Sequence, residues 1–348
     1  MIRKEYIFKT IFKNFISLTD YKNNKSGTSP IAVIIIFVIL FFSSMAFISC
    51  DITLDPKTEF KDRFILYLIM RADTNYHIAR VFHNYNVNGL DPNTNKVDPA
   101  IKDAVIKIWG NNSVNIFKDT LISRDDTSRY NDPVYFYYLD NYKPVQEESL
   151  KVTAYLDNGV VLQARSKVPV QINLDSLYLL PVLGRNDFSF SWPVNSEEVC
   201  YSYQAKLYYK QRIEGQGEFI KWIEIPLEIH REGDSVKTVY PEISTNHYVR
   251  YTNEALDWAM KKISESEPSK SYFTITRIVF EIISFDKPLS DYYSLTHGYS
   301  DSFSIRLDEN IYTNIEGGLG VFGVCYKQGI MFKLKEDYIL SYGYKYER

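Results

Sequence analysis

The amino-acid sequence predicts an all-β protein: two β-sandwich modules with one short helix, placed behind an N-terminal hydrophobic signal helix. The first observation is composition, because 29 Tyr and 21 Phe among 348 residues favour pleated sheet over helix. The second is a series of short runs in which apolar and polar residues alternate with period two. The third is Asp157-Asn158-Gly159, where Asn-Gly between two such runs accepts the positive φ angles of a tight hairpin turn.

The first module, an immunoglobulin-like sandwich, is predicted over residues 63–170. Its short strands are separated by polar turns, which is typical of such sandwiches. The Cys…Trp…Cys spacing of antibody domains is absent, so the prediction concerns architecture alone. The predicted strands include Phe64–Arg71, Ile78–Tyr85, Ala104–Trp109, Val134–Leu139, Leu150–Leu156 and Val160–Val168.

The second module, over residues 171–348, is predicted as a fibronectin type III-like sandwich with a C-terminal extension. Its opening resembles such a domain, because a Phe-x-Phe-x-Trp-Pro strand that ends at Pro193 precedes a Tyr-rich strand over 199–209. One helix is predicted over Asn253–Glu265, with Thr252 or Asn253 as its cap. Four C-terminal tyrosines are predicted on one face of a final strand, where they pair across the sheet or stack on a sugar: Tyr338, Tyr342, Tyr344 and Tyr346.

The N-terminal apolar segment Pro30–Cys50 decides the compartment. Ile31–Phe42 is wholly apolar, and small residues then lead to Cys50, which is the profile of a secretory signal. Phe47-Ile48-Ser49-Cys50 resembles a lipobox, with Phe47 in place of the usual Leu. We therefore expect residues 1–49 to be a cytoplasmic n-region and lipoprotein signal peptide, Cys50 to be lipidated, and residues 50–62 to be a tether.

An uncleaved N-terminal membrane helix is the alternative to cleavage at Cys50. Residues 1–29 carry a charge of +4, which keeps them cytoplasmic in either case. They are long for an n-region, so either the start codon lies further downstream or they form a basic amphipathic helix on the inner leaflet. The expected location is the cell envelope, at the outer membrane after lipidation or at the inner membrane with an uncleaved helix.

Charge and cysteine content restrict the mature chain further. Residues 50–348 contain 34 Lys and Arg against 41 Asp and Glu, a net charge of −7, and no basic block. A nucleic-acid partner is therefore not expected, since phosphate binding needs clustered cations. Cys200 and Cys325 allow one disulfide at most, and two separate thiols are favoured.

No sequence pattern indicates a catalytic, cofactor or metal site. Gly318–Gly323 satisfies G-x-G-x-x-G, but a strand-like run follows it where a dinucleotide site needs a helix, so we interpret it as a turn or bulge. The Asp91–Asp98 loop is spaced like a calcium loop but has Lys96 where a Gly is needed, which favours an Asx-rich turn. His77 and His83 share a strand face without a third ligand.

The run Tyr312–Gly323, YTNIEGGLGVFG, resembles the Y-S-N-I-x-G-G-L-G-I-F-G run of an uncharacterised Bacteroidota envelope lipoprotein family, domain of unknown function 4249. The D-x-x-x-x-Y-Y segment at Asp286, the hairpin around Gly159 and the lipobox agree with it, while Thr313 replaces the usual Ser and the tail after residue 325 is long. We expect the motif residues to form a structural turn rather than a site: Asn314, Glu316, Gly317, Gly318, Gly320, Phe322 and Gly323.

The resemblance implies an envelope lipoprotein of two β-sandwich modules that works beside a TonB-dependent outer-membrane transporter, and it supplies no activity. The expected function is a non-catalytic binding or adaptor module, held at the membrane by its anchor, with a glycan or a peptide as ligand. Two other functions remain open. One is a carbohydrate-processing hydrolase with paired loop carboxylates, and the other is a structural envelope protein.

Overall fold

The alternating runs of the sequence form strands in the computed structural model, which describes residues 60–347 except 88, 90, 112, 173–179, 182–184, 194–198, 234, 266, 268 and 298–311. The strands of this part of the chain are β1 (Phe64–Arg71), β2 (His77–His83), β3 (Val105–Gly110), β4 (Ser113–Ile116), β5 (Lys118–Ile122), β6 (Val134–Leu139), β7 (Ser149–Tyr155), β8 (Val161–Lys167), β9 (Asp187–Ser191), β10 (Tyr201–Ile213), β11 (Gly217–Ile225), β12 (Glu228–Glu232), β13 (Ser235–Val239), β14 (Tyr248–Thr252), β15 (Phe273–Phe285), β16 (Leu319–Phe332) and β17 (Lys345–Tyr346). Its α-helices are α1 (Asn253–Ile263), α2 (Lys287–His297) and α3 (Glu336–Ser341). The chain is therefore all-β, as predicted.

A mixed nine-stranded sheet organises these strands. Its order is β11-β10-β15-β16-β1-β2-β6-β5, with β17 paired to β15. Strands β1 and β16 lie side by side in parallel, so that Leu66 pairs with Gly320 and Ile69 with Gly323. A four-stranded sheet has the order β4-β3-β7-β8, and two hairpin sheets pair β12 with β13 and β14 with β9.

The first sandwich packs one half of the large sheet against the four-stranded sheet. Leu66 and Val81 from β1 and β2 share a core with Ile108 and Val152 from β3 and β7. Phe322 of β16 is fully buried in the same core. This core therefore depends on a strand that lies more than 150 residues further along the chain.

The second sandwich packs the other half of the large sheet against the β9-β14 hairpin and α1. Phe190 of β9 stacks on Phe280 of β15 at a ring-centroid distance of 4.2 Å, and Phe332 at the end of β16 lies 4.8 Å from the same Phe190 ring. Met260 on the inner face of α1 is fully buried in this core. Strand β16 thus contributes Phe322 to one core and Phe332 to the other.

The two hydrophobic cores separate near residue 170, where the module boundary is predicted. The core residues divide close to it: apart from three residues at 315–324, the first core lies within 66–168 and the second begins at Ile172. The large sheet nevertheless continues across it through the β1 to β16 pairing. The two sandwiches share one sheet, and their division into separate modules stays a prediction.

The prediction of a single helix is wrong. Helix α1 is confirmed, and the Thr252 side chain accepts a hydrogen bond from the Ala255 backbone at 3.2 Å, which makes Thr252 its cap. Helix α2 follows Asp286, whose carboxylate accepts a 2.9 Å hydrogen bond from the Leu289 backbone. Helix α3 begins with Glu336 and Asp337, and acidic residues in a first turn are favourable.

The predicted signal segment Pro30–Cys50, its lipobox and the tether up to residue 59 lie outside the described residues. In the part of the chain that the structure does describe, no helix has the length and apolar character of a membrane span.

Candidate functional site

The run Tyr312–Gly323 lies where the two sheets of the first sandwich meet. The Asn314 side-chain amide donates to the Phe322 carbonyl at 2.7 Å and accepts from the Phe322 backbone N–H at 2.9 Å. Glu316 and Gln163 of β8 exchange two backbone hydrogen bonds, of 2.8 and 3.0 Å. The Gln163 side chain also donates to the Glu316 carboxylate at 2.5 Å. The polar groups of the motif therefore connect β8 to β16.

Two glycines of the motif allow backbones to approach closely. Gly317 has φ +83°, and a Cβ there would lie 2.3 Å from the Val161 carbonyl oxygen of β8. Gly320 has φ +113°, and a Cβ there would lie 2.1 Å from the Leu66 carbonyl oxygen of β1. Both the dihedral angle and the contact exclude a side chain. A strand, β16, follows these glycines, in contrast to the helix that a dinucleotide site requires.

The start of helix α2 packs on the same strand. A Cβ at Gly323 would lie 2.4 Å from Leu289 Cγ and 2.9 Å from Asp286 Oδ1. Because Gly323 has no side chain, Leu289 and Asp286 can pack directly against its backbone. The motif and the Asp286 segment, which are far apart in sequence, therefore form one packed junction.

Asp286 is the central polar residue of this junction. Its Oδ1 accepts from the Leu289 N–H at 2.9 Å, and its Oδ2 accepts from the Val324 N–H at 2.7 Å and from the Ser166 hydroxyl of β8. The residue is 4% exposed. Burial raises the pKa of Asp286 to about 6, although the hydrogen bonds act in the opposite direction. The carboxyl group thus joins α2, β16 and β8.

A cleft of about 360 Å³ lies beside Asp286. Its walls include Val168 and Ile172 from the segment after β8, with Phe285 at the end of β15. The carboxylates among its lining residues are Glu147 and Asp286. A glycosidase needs two carboxyl groups that are free to exchange protons or attack, whereas three protein donors already bind the oxygens of Asp286.

The two described cysteines are free and buried. Phe285 separates them in the sheet, because its N–H donates to the Cys200 carbonyl at 3.1 Å and its register partner on β16 is Cys325. Two strand spacings amount to about 9 to 10 Å, which exceeds the reach of a disulfide. Burial raises the pKa of Cys325 to about 12, so its thiol stays protonated.

The structure places the two histidines in different surroundings. His77 is buried with Nε2 at 2.8 Å from the Tyr142 carbonyl oxygen, and burial lowers its pKa. His83 is exposed with Nδ1 at 2.6 Å from the Asn84 carbonyl oxygen. Among the described residues, no group of three or more His, Cys, Asp or Glu is arranged to hold a metal ion.

The acidic loop after β2 forms Asx turns, as interpreted from the sequence. Asp91 Oδ1 accepts from the Asn93 N–H at 2.9 Å and caps a 3-10 turn over Pro92–Thr94. Asn95 Oδ1 accepts from the Val97 N–H at 3.2 Å. Asp98 forms ion pairs with Arg80 and Arg124.

The predicted tyrosine face of a final strand is wrong, because Tyr346 is the one member of the four that lies in a strand, β17. Tyr338 lies in α3, and Tyr342 directly follows this helix. Glu336 and Asp337 in the first turn favour a helix where a strand was expected. Both hydroxyls donate to Asp257 Oδ1 of α1, at 2.8 and 2.6 Å. Tyr344 donates to the Met260 carbonyl at 2.6 Å. These tyrosines hold the C-terminal tail against α1.

A surface that the sequence analysis missed lies on the outer side of the large sheet. Register and alternation place its side chains opposite the first core, and we call it the aromatic face. Its exposed members are Tyr67 at 40%, Ile69 at 40%, Tyr76 at 47% and Ile78 at 46%. Clustered exposed apolar side chains mark interaction sites. The aromatic face consists of Tyr67, Ile69, Tyr76, Ile78, Phe82 and Tyr138.

Stacked rings lie at both ends of the aromatic face. Tyr67 stacks on Phe82 with a centroid distance of 5.8 Å, and Tyr76 stacks on Tyr138 at 5.8 Å. Ile78 pairs directly with Tyr138 between β2 and β6. Strand β1, FILYLIMR, is apolar on both faces. This pattern predicts a strand that is buried on both sides, so the sequence did not indicate that one face is exposed to solvent.

A protein-family model covers most of the chain. No curated protein matches the chain. The family model described as "Domain of unknown function (DUF4249)" matches residues 52–329, which include β1 to β15, most of β16 and the glycine-rich junction. The chain therefore belongs to the family of domain of unknown function 4249.

Proposed function

We propose that this protein is a non-catalytic lipoprotein of the cell envelope that acts as a binding or adaptor module. The observation that carries the proposal is the aromatic face, where Tyr67, Ile69, Tyr76 and Ile78 are each at least 40% exposed. Single exposed apolar side chains are common on protein surfaces, whereas a contiguous group of them marks an interaction site. The aromatic face is therefore the proposed binding surface.

The family motif supports a role without catalysis. Its polar groups are engaged inside the protein, since Asn314 binds the Phe322 backbone and Glu316 binds Gln163. Asp286, whose pKa is raised by burial, already binds three donors. Because these groups bind other parts of the protein, we interpret the motif as a structural junction between the two sheets.

The anchor is proposed from the sequence. The apolar segment that ends at Cys50, followed by a polar stretch before β1, supports export and lipidation at Cys50. Radioactive palmitate should label the chain, and Cys50→Ala should abolish the label. Label that persists in the variant would contradict lipidation at this residue.

The resemblance of the sequence to a Bacteroidota lipoprotein family supports an outer-membrane location beside a TonB-dependent transporter.

The test of binding is purification of the lipidated protein in mild detergent, followed by identification of bound protein and glycan. The face variant is Ile69→Asp with Ile78→Asp, and the matched control is Val114→Asp with Ile116→Asp on β4, where the side chains are 45% and 55% exposed.

The wild type and the control should recover the same envelope component, and the face variant should lose it. Recovery that is equal in all three proteins, or no recovery in any, would contradict the proposed function.

A further inference from the structure

We infer that the aromatic face binds an uncharged glycan, through its two stacked ring pairs. The inference rests on the proposed function and specifies the ligand of the same surface. A sugar ring presents a face of C–H groups that packs on an aromatic ring, and a rim of hydroxyl groups that needs hydrogen-bonding partners nearby.

The spacing of the ring pairs suits an extended ligand. Phe82, in the Tyr67 pair, and Ile78, which lies opposite Tyr138, are four residues apart on β2. At about 3.4 Å per residue the two ring pairs are about 14 Å apart along the strand. Ile69 and Ile78 contribute apolar surface between them. A single small molecule would touch one pair, whereas a chain of sugars would reach both.

The charges beside the rings are already paired within the protein. Arg71 binds Asp73 at 2.5 Å, and Lys118 binds Asp140 at 3.1 Å. The Lys118 ammonium also lies 5.7 Å from the Tyr138 ring centroid. Such pairs add little net charge, but their N–H groups and oxygens remain able to bind hydroxyl groups.

The third cation of this surface is paired as well. Arg80, whose guanidinium lies 6.0 Å from the Phe82 ring, binds Asp98 at 3.1 Å. Asp98 also binds Arg124 at 2.5 Å, and the Arg124 side chain is only 16% exposed. An anionic lipid or polymer would therefore find little unpaired positive charge here, so charge complementarity favours a neutral ligand.

The outer side of the four-stranded sheet provides the contrast. Trp109 and Tyr155 are about as exposed there, at 40% and 41%. Their neighbours include Lys107 and Lys151, which form no ion pair in the described structure. The Lys107 ammonium lies 5.4 Å from the Tyr155 ring centroid, and no stacked ring pair is found for Trp109 or Tyr155 in the described structure. This surface is therefore a matched control.

A peptide that adds a strand does not suit the aromatic face. Strands β1, β2 and β6 each have hydrogen-bonded neighbours on both sides, so their backbone groups are occupied. Strand addition requires an open edge. A ligand on this face must bind through side chains.

The experiment is affinity electrophoresis of the full lipidated chain in detergent, in native gels that contain one soluble polysaccharide each. The neutral probes are a β-glucan, glycogen, a xylan and a mannan, and the charged probes are alginate and heparin. The variants are Tyr67→Ala with Tyr76→Ala on the aromatic face, and Trp109→Ala with Tyr155→Ala on the control surface. Thermal unfolding of each variant establishes that it is folded.

At least one neutral polysaccharide should retard the wild type, and the retardation should persist at ~1 M sodium chloride because no charge is involved. The face variant should bind at least about tenfold more weakly, since two ring contacts are removed. The control variant should bind like the wild type.

Three results would overturn the inference: no retardation by any neutral probe, retardation only by alginate or heparin, or equal weakening in both variants. The purification experiment separates this failure from a failure of the proposed function. If one of these three results is obtained but Ile69→Asp with Ile78→Asp loses an envelope protein that the wild type recovers, the glycan is wrong as the ligand and the proposed binding function stands.

Discussion

Asp286 shows how one carboxyl group connects separated parts of the chain. It binds Ser166 of β8, Val324 of β16 and Leu289 of α2, and its pKa is raised to about 6 by burial. A raised carboxyl pKa means that the folded state disfavours the charged form. The stability that Asp286 contributes is therefore complete below its unfolded pKa near 3.8 and is lost as the pH rises to about 6.

We expect Asp286→Asn to remove this pH dependence. Between about pH 4 and pH 6 the free energy of unfolding of the wild type should fall relative to that of the variant, by up to about 3 kcal/mol. Urea unfolding at a series of pH values measures the difference. Asp140→Asn is the control, because the hydrogen bond from Lys118 lowers the pKa of that exposed carboxyl and leaves it charged in this range.

If the free energies of unfolding of the wild type and Asp286→Asn differ by a constant amount across this pH range, burial does not disfavour the charged form of Asp286 and the account is contradicted. A fall of the same size in the free energy of unfolding of the wild type relative to Asp140→Asn would show that the effect is general to the surface charge.

At the scale of elements, the C-terminal tail is fixed by tyrosine hydroxyls. Tyr338 and Tyr342 both donate to Asp257, so removing both hydroxyls leaves this carboxylate oxygen without either donor. Tyr338→Phe with Tyr342→Phe should therefore destabilise the protein by about 1 to 3 kcal/mol. Hydrogen exchange should speed up first in α1 and α3. The control is Tyr155→Phe, where the ring is 41% exposed.

Unchanged exchange in α1 and α3, or an equal loss of stability for Tyr155→Phe, would contradict this account of the tail.

The strands were predicted well where local pattern decides them. Phe64–Arg71 and Val134–Leu139 agree with the structure at both ends, and Gly159 adopts φ +81° in the hairpin that Asn-Gly predicts. Helix α2 was missed, although Asp286 followed by Pro288 has the form of a helix start. The aromatic face was missed because alternation between two apolar sides does not reveal which side is covered.

Pairing partners could not be predicted from the sequence. The motif glycines at Gly317 and Gly320 were expected to allow close backbone contact, and the contacts are those with Val161 and Leu66. Which backbone approaches depends on the parallel pairing of β1 with β16, about 250 residues apart. Such pairing is set by tertiary packing rather than by local preference.

At the scale of the whole molecule, the two sandwiches depend on one strand. Strand β16 supplies Phe322 to the first core and Phe332 to the second. A chain that ends at residue 170 would lack Phe322 and the β16 partner of β1. We expect that truncated chain not to fold, and the full chain to unfold in a single transition by calorimetry.

A truncated chain with dispersed amide proton signals, or two separate calorimetric transitions, would contradict this dependence and would support two independent modules.

The account predicts that the outer side of the large sheet is where the protein meets its ligand in the envelope. The most direct measurement places a photoreactive amino acid at Ile78, in the middle of the aromatic face, or at Val114 on the other sheet, and irradiates intact cells. The account predicts an adduct with an envelope protein or glycan from position 78 and none from position 114. An adduct from position 114 alone would contradict it.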